Sequence, residues 1–391
     1  MQNQITHLTG AQRVRLRPAV VFGDDGIEGA ECALEMLLCV MASECHRGFA
    51  SRLSLTAYKD GSFELRDNGR GLYLGSGKPE EDAIWKSKLC ELYSRSAYPD
   101  QIDKDTEYSY FEESGRTPCR PYDSELYDEI WLCAVQYASE FMDVAVCRDG
   151  LLLELHFEKG ENIGGICSKP LTAPSGTAIR FKPDREVFSC IDIPEDFLVD
   201  QLKKLAVLSP NCTVVYRKEH ADGIQEETFC YPNGIAGEVE EQCAHTVATE
   251  IFTAEKKAIG KDRYDRPEYG AKIQLALCFT KDCGSIRVYH NRRTLIRGGQ
   301  HLERLLAEIM KRLEWQLDCQ LDPQLLTRHL CLTLNTTTTH YGSAWGDGSR
   351  TWINNAMICD MAQDCVKEAF SHYIKLHLED IKHFIGIPAV E

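Results

Sequence analysis

The sequence predicts an α+β protein made of two successive α/β sandwiches, on three observations. Two strand pairs turn on hairpin signals, Lys59-Asp60-Gly61 and Asp149-Gly150. A strongly apolar helical run, GAECALEMLLCVMASECHR at residues 29–47, precedes the first pair. Helical and strand patterns then resume beyond a polar stretch, RKEHADGIQEE at 217–227, which reads as the domain boundary.

Taken in order, the apolar helix closes at Gly48, and strands follow at 51–58 and 62–66. Residues 80–94 read as helix. Residues 95–122 are polar, with Pro and Tyr but no period, as in a lid or a disordered segment. A helix at 123–140 leads into the second hairpin, DVAVCRDGLLLELHF. A strand at 176–182, a helix at 194–208 and a strand at 212–217 complete the first half. The second half reads as strands at 270–280 and 285–290, a helix at 300–317, a strand at 328–336 and one long helix over 352–385.

Composition narrows the functions. The chain of 391 residues is long enough for two or three cores, and 43% hydrophobic with 27% charged residues is ordinary for a globular protein. A net charge of −16 argues against binding a phosphate backbone with the whole surface. DNA is therefore expected only through a local basic patch, for which Arg292, Arg293 and Arg297 are the candidates; a solvated loop is the other reading of those arginines. The 18 cysteines are scattered and form no Cys-x-x-Cys, and many sit in apolar runs, such as Cys39 in LLCVMA. They read as small buried hydrophobes in a reducing compartment, with no metal site. The N-terminus has no apolar signal region and no run approaches a membrane span, so a cytoplasmic protein with no membrane partner is expected.

The informative stretch is DGSFELRDNGRGLYL, residues 60–74. A strand there ends in a carboxylate, two glycines and a guanidinium within five residues. From the residues alone Asp67 is a turn-capping carboxylate. The pattern strand-DGS-strand-D-x-G-R-G resembles the nucleotide-binding region of DNA gyrase and topoisomerase IV B subunits, members of the GHKL (Bergerat-fold) ATPases. RPAVVFGD at 17–24 is similar to the element that opens the family's domain. SGTAIRFKPD at 175–184 is similar to the strand that closes its nucleotide pocket, and VYHNRRTLIRGGQHLERLLAEI at 288–309 to a segment of its transducer. The resemblance implies a GHKL ATPase-like sandwich over residues 1–219. A transducer domain of ribosomal-protein-like α/β fold would follow over 220–391. It also implies that Asp67, Gly69, Gly71 and Thr177 hold an adenine, with Arg148 at the pocket rim. Glu44 and Arg70 would form a structural pair.

The chemistry departs from that family. Hydrolysis needs a general base and a Mg²⁺ ligand, which the family carries four residues apart on one helix. Aligning Glu44 with the family's glutamate puts Met36 and Val40 at those positions, and neither side chain can serve. Glu35 is adjacent, but one residue turns a helical side chain by roughly 100°. The glycine-rich phosphate loop is replaced by SELYDEIWL at 124–132, with Glu125, Asp128 and Glu129 where a triphosphate would sit. The transducer loop YGSAWGDGSRTWINN at 341–355 has no lysine, only Arg350. The E-G-D-S-A motif of complete B subunits is absent, so cleavage of DNA by this chain alone is not implied. The expectation is a pseudo-ATPase without catalytic residues or bound Mg²⁺, in which ATP or another adenine nucleotide binds weakly or no longer. It would act through protein contacts with a second copy or a topoisomerase subunit. Two alternatives stand beside it: a working ATP-hydrolysing subunit with relocated groups, and an adenine-nucleotide or small-molecule sensor without catalysis.

Overall fold

A capping box starts the first helix of the described chain. The Thr9 hydroxyl accepts from the Gln12 amide at 3.2 Å, and the Thr9 amide donates to the Gln12 side chain at 3.0 Å. The resulting α1 (Gly10–Leu16) gives way to α2 (Pro18–Phe22), which has proline in its first turn. The computed structural model describes residues 8–92, 126–260, 269–338 and 352–386. Helix α3 (Ile27–His46) is apolar over most of its circumference, with Leu34, Leu37, Leu38 and Met41 all buried. A helix of that kind belongs inside a fold. Strands β1 (Arg52–Ala57) and β2 (Phe63–Asp67) follow, then α4 (Asp82–Leu89) and α5 (Leu126–Tyr137).

The sheet of this first unit is completed by β3 (Ser139–Arg148), β4 (Leu151–Glu158), β5 (Glu161–Asn162), β6 (Cys167–Pro170) and β7 (Gly176–Pro183). Helix α6 (Glu195–Leu208) leads to β8 (Thr213–His220) and β9 (Gly223–Phe229). Among the described residues the strands form one sheet in the order β5-β4-β3-β7-β2-β1-β8-β9, with β6 beside β4. Its pairs are antiparallel except β1 with β8. Period-two alternation gives it an apolar face, with Leu65, Met142, Val144, Ile179 and Phe181 buried. The other face is polar, and a cavity of about 480 Å³ there is lined by Glu64, Arg66, Asp143, Glu154, His156 and Arg180.

The second unit begins at Tyr231. It contains α7 (Ile235–Cys243), β10 (Phe252–Gly260), β11 (Tyr269–Phe279), β12 (Ser285–His290), β13 (Arg293–Thr294), α8 (Gln300–Leu317), α9 (Pro323–His329) and β14 (Leu330–Thr338). Three helices close it: α10 (Ala356–Cys365), α11 (Glu368–Leu376) and α12 (Leu378–Ile385). Its sheet runs β10-β11-β14-β12-β13 among the described residues. Leu305, Ile309 and Leu313 of α8 pack on Ile273, Leu275, Leu332 and Leu334 in one apolar core.

Three sequence expectations need correction. The stretch 217–227 is not the domain boundary: it is most of the β8–β9 hairpin, with Arg217 opposite Glu226 at 2.7 Å. The division therefore falls at Cys230 and Tyr231, rather than at 219 and 220. The single helix over 352–385 is three helices. A straight helix of that length would run ~50 Å, whereas the breaks at Val366–Lys367 and at His377 return Phe370, Ile374, Ile381 and Phe384 to the core. The basic patch is not three surface arginines, because Arg292 is buried. It forms a two-residue turn with Asn291, both at positive φ (67° and 45°), while Arg297 is exposed. The segment 95–122 lies outside the described residues. No described helix is long and apolar enough to cross a membrane.

Candidate functional site

The loop after β2 is held from three sides. Asp67 ends the strand, and its Oδ1 accepts from the Gly69 amide at 2.7 Å, an Asx turn. The Asn68 Oδ1 accepts from the Ser51 and Arg52 amides, each at 2.9 Å, which pins the loop to the start of β1. Gly71 has φ of +84°, and a Cβ there would stand 2.7 Å from the Cys147 carbonyl, so only glycine fits. The Gly71 carbonyl accepts from Arg148 Nη1 at 2.8 Å, and the guanidinium of Arg148 lies 5.1 Å from the Tyr73 ring centre. Thr177 is buried on β7, and its hydroxyl accepts from the Leu72 amide at 2.9 Å.

The third side is α3. Glu44 Oε2 accepts from the Arg70 amide at 2.9 Å and from Arg70 Nε at 3.1 Å, and Oε1 accepts from Nη2 at 2.7 Å. This is a two-pronged guanidinium–carboxylate pair with a backbone donor added. The Arg70 guanidinium also lies 3.5 Å from the centre of the Phe49 ring. Burial would raise the Glu44 carboxyl, but the hydrogen bonds and charge of Arg70 outweigh it and hold the group below its ordinary value. Asp67 is the opposite case. Burial pushes it up to about 6, and the Glu44 charge adds to the rise, against hydrogen bonds from Gly69 and Thr177 that oppose it.

All seven residues singled out in the sequence thus meet around one loop: Glu44, Asp67, Gly69, Arg70, Gly71, Arg148 and Thr177. Two others were not singled out. Phe49 follows a helix-ending glycine and carries no motif signal. Asn68 lies inside the quoted motif, but only the fold shows that it reaches β1. On α3, Met36, Cys39 and Val40 are buried among apolar side chains. Glu35 points elsewhere: its Oε1 takes the Lys204 ammonium at 2.8 Å, and Lys204, itself buried on α6, also contacts Gln201. The side chains of Glu125, Asp128, Glu129 and Arg350 lie outside the described residues. Among the described residues no group of His, Cys, Asp and Glu is placed to hold a metal ion.

No family model matches the sequence. Curated relatives do. The mitochondrial gyrase B protein of Arabidopsis thaliana is 27% identical over 318 residues, which is 79% of this chain and 40% of that protein. The gyrase B protein of Archaeoglobus fulgidus is 25% identical over 301 residues, 75% of this chain and 43% of that protein. The chain thus spans about two fifths of the length of these relatives. The 43K ATPase domain of Thermus thermophilus gyrase B, solved with an aminocoumarin, superposes with a TM-score of 0.68 at 19% identity, covering 97% of this chain and 93% of that one. The gyrase B protein of Myxococcus xanthus gives 0.72 at 16% identity, over 97% and 99% of the two chains. The fold is that of the gyrase B ATPase region. Within that GHKL fold, the loop of Asp67 to Gly71 and the strand of Thr177 carry the motifs by which the sequence resembles gyrase B.

Two measurements probe this geometry. Arg70→Ala takes the guanidinium from the half-buried Glu44 carboxylate, leaving it the backbone amide at 70, and exposes Phe49, so a loss of about 2 kcal/mol in denaturant stability is expected. Arg70→Lys keeps the charge but not the fork, and should recover less than half of that loss. The second concerns Asp67. Its folded-state value is raised, so its contribution to stability is full below about 4 and is lost as pH rises through about 6. Asp67→Asn keeps an acceptor for Gly69 without the charge. Relative to the parent, this variant should gain stability steadily from pH 4 to 7, by up to about 3 kcal/mol. A constant difference across that range would contradict a buried, uphill ionisation.

Proposed function

We propose that this gyrase B-like ATPase–transducer region is a pseudo-ATPase that works through protein contacts. The observation that carries the reading is the face of α3 below Glu44, where buried Met36 and Val40 stand at the positions of base and metal ligand. Neither group can take a proton or coordinate Mg²⁺. The nearby carboxylate, Glu35, is engaged by Lys204, which argues against a one-residue shift of the catalytic register. The loss of the glycine-rich loop and of the transducer lysine in the sequence points the same way. The relevant contacts would be with a second copy or with a topoisomerase subunit. A Mg²⁺–ATP turnover assay on the purified chain tests the proposal, with no rate above background expected. Turnover that survives purification and vanishes in Glu35→Gln would reinstate an enzyme with relocated groups.

A second reading is favoured by the intact Asp67 loop: an adenine-sized site kept without its phosphate end. Above pH 6 the ionised Asp67 is an acceptor suited to an exocyclic amino group, and Gly69 and Gly71 allow a flat ring to come close. Acidic residues at 125, 128 and 129 would oppose a triphosphate. Adenosine should therefore raise the melting temperature at least as much as ATP does, in the presence or absence of Mg²⁺. Stabilisation by Mg²⁺–ATP alone would reject this site, and no response to any of the three would leave the loop as scaffold only.

A further inference from the structure

Neither reading uses the two thiols beneath the Asp67 loop. Cys45 directly follows Glu44 near the end of α3, and Cys212 directly precedes β8. Their sulfurs lie 2.7 Å apart, and the residues are 4% and 0% exposed. A disulfide bond is about 2.05 Å long, so a shift of less than 1 Å would join them. The surroundings bind this pair to the candidate site. The Thr213 amide, one residue from Cys212, donates to the Ser51 carbonyl at 2.9 Å, and the Ser51 amide donates to Asn68 of the loop. The hydrogen bond shared with Cys212, and then burial, raise the Cys45 thiol far above its ordinary value. The same shared hydrogen bond lowers Cys212, despite its burial.

We propose that Cys45 and Cys212 form a reversible disulfide in response to a peroxide, locking the end of α3 to β8 at the foot of the Asp67 loop. The Cys212 thiolate attacks one peroxide oxygen; the O–O bond breaks, and hydroxide leaves to become water with the proton that Cys212 released. This gives a sulfenic acid on Cys212. The Cys45 sulfur then attacks the Cys212 sulfur and the S–O bond breaks. The Cys45 proton leaves with the departing hydroxyl as a second water. Two thiols and one peroxide become one disulfide and two waters, two electrons passing from sulfur to oxygen. A dithiol reductant reverses the bond by exchange. The residues joined are 167 positions apart, so the cross-link restricts the unfolded chain strongly and should raise thermal stability.

The test treats the full chain with hydrogen peroxide, denatures it in a thiol-blocking alkylating agent and maps the peptides by mass spectrometry. The expected result is a linked peptide pair containing Cys45 and Cys212, lost on dithiothreitol treatment. A rise of several degrees in melting temperature should accompany it and be absent in Cys212→Ala. The mapping is done on the unaltered chain, so it stands even if that variant fails to fold. Alkylation of both Cys45 and Cys212 after peroxide would overturn the proposal. So would sulfinic acid at Cys212 as the main product, or a linked pair that leaves the melting temperature unchanged.

Discussion

The Glu44–Arg70 pair is the constraint on which the arrangement of the candidate site rests. One carboxylate near the end of a mostly apolar helix accepts three hydrogen bonds from a single loop residue, two from its guanidinium and one from its amide. That count matters because Glu44 is mostly sheltered, and a sheltered carboxylate is tolerated only when its lone pairs are filled. The pair fixes how far the loop stands from α3. Gly69 answers to that distance: a Cβ there would come within 2.8 Å of Glu44 Oε2. It also sets the electrostatics, since the Glu44 charge helps push Asp67 up while Arg70 holds Glu44 itself down. The pair therefore contributes to both the geometry of the loop and its charge, beside the burial of Asp67 and the anchors at Asn68 and Thr177.

On the pseudo-ATPase reading, the same helix shows what has been given up. Positions 36, 40 and 44 recur every four residues and so lie on one face. The first two are Met and Val inside the apolar core, while the third remains ionic at its edge. A carboxylate at 36 or an amide at 40, without a bound metal and phosphate to satisfy it, would be a polar group in a dry environment. Such burial costs about 1–3 kcal/mol. Where no nucleotide is turned over, apolar side chains at these two positions would stabilise the fold, whereas replacement of Glu44 would take from Arg70 its carboxylate. On that reading, differential packing cost would account for an apolar end of the stripe beside an ionic one.

How much of this was legible beforehand depends on the range of the interaction. Local signals were sufficient for α3, β1, β2, β3, β4, β7 and α8, because hairpin glycines and hydrophobic periods are written within a dozen residues. The polar run at 217–227 misled because an exposed edge hairpin has the composition of a linker: only Phe229 of β9 is buried. The break at Val366 was hidden because no Gly or Pro marks it, and the core beneath decides it instead. In the candidate site, the seven residues came from motifs, and Arg70 against Glu44 followed from their alignment. Phe49 under Arg70, Asn68 reaching β1, and Lys204 on Glu35 depend on contacts across the fold, which no single stretch of sequence contains.

The contact between Lys204 and Glu35 is the step that orders the competing readings of α3. The two residues are 169 positions apart, and the lysine side chain is almost wholly withdrawn from solvent. An ammonium so buried needs a counter-charge, and Glu35 together with Gln201 supplies its partners. Moving Glu35 to serve as a base would leave Lys204 unpaired, a cost of several kcal/mol in the interior. It would also require turning α3 by roughly 100° about its axis, which would pull Glu44 away from Arg70 and carry Leu34, Leu37 and Leu38 out of the core. Two ion pairs on different faces of one helix thus fix its rotation from opposite sides. The burial of Met36 and Val40 follows from that rotation.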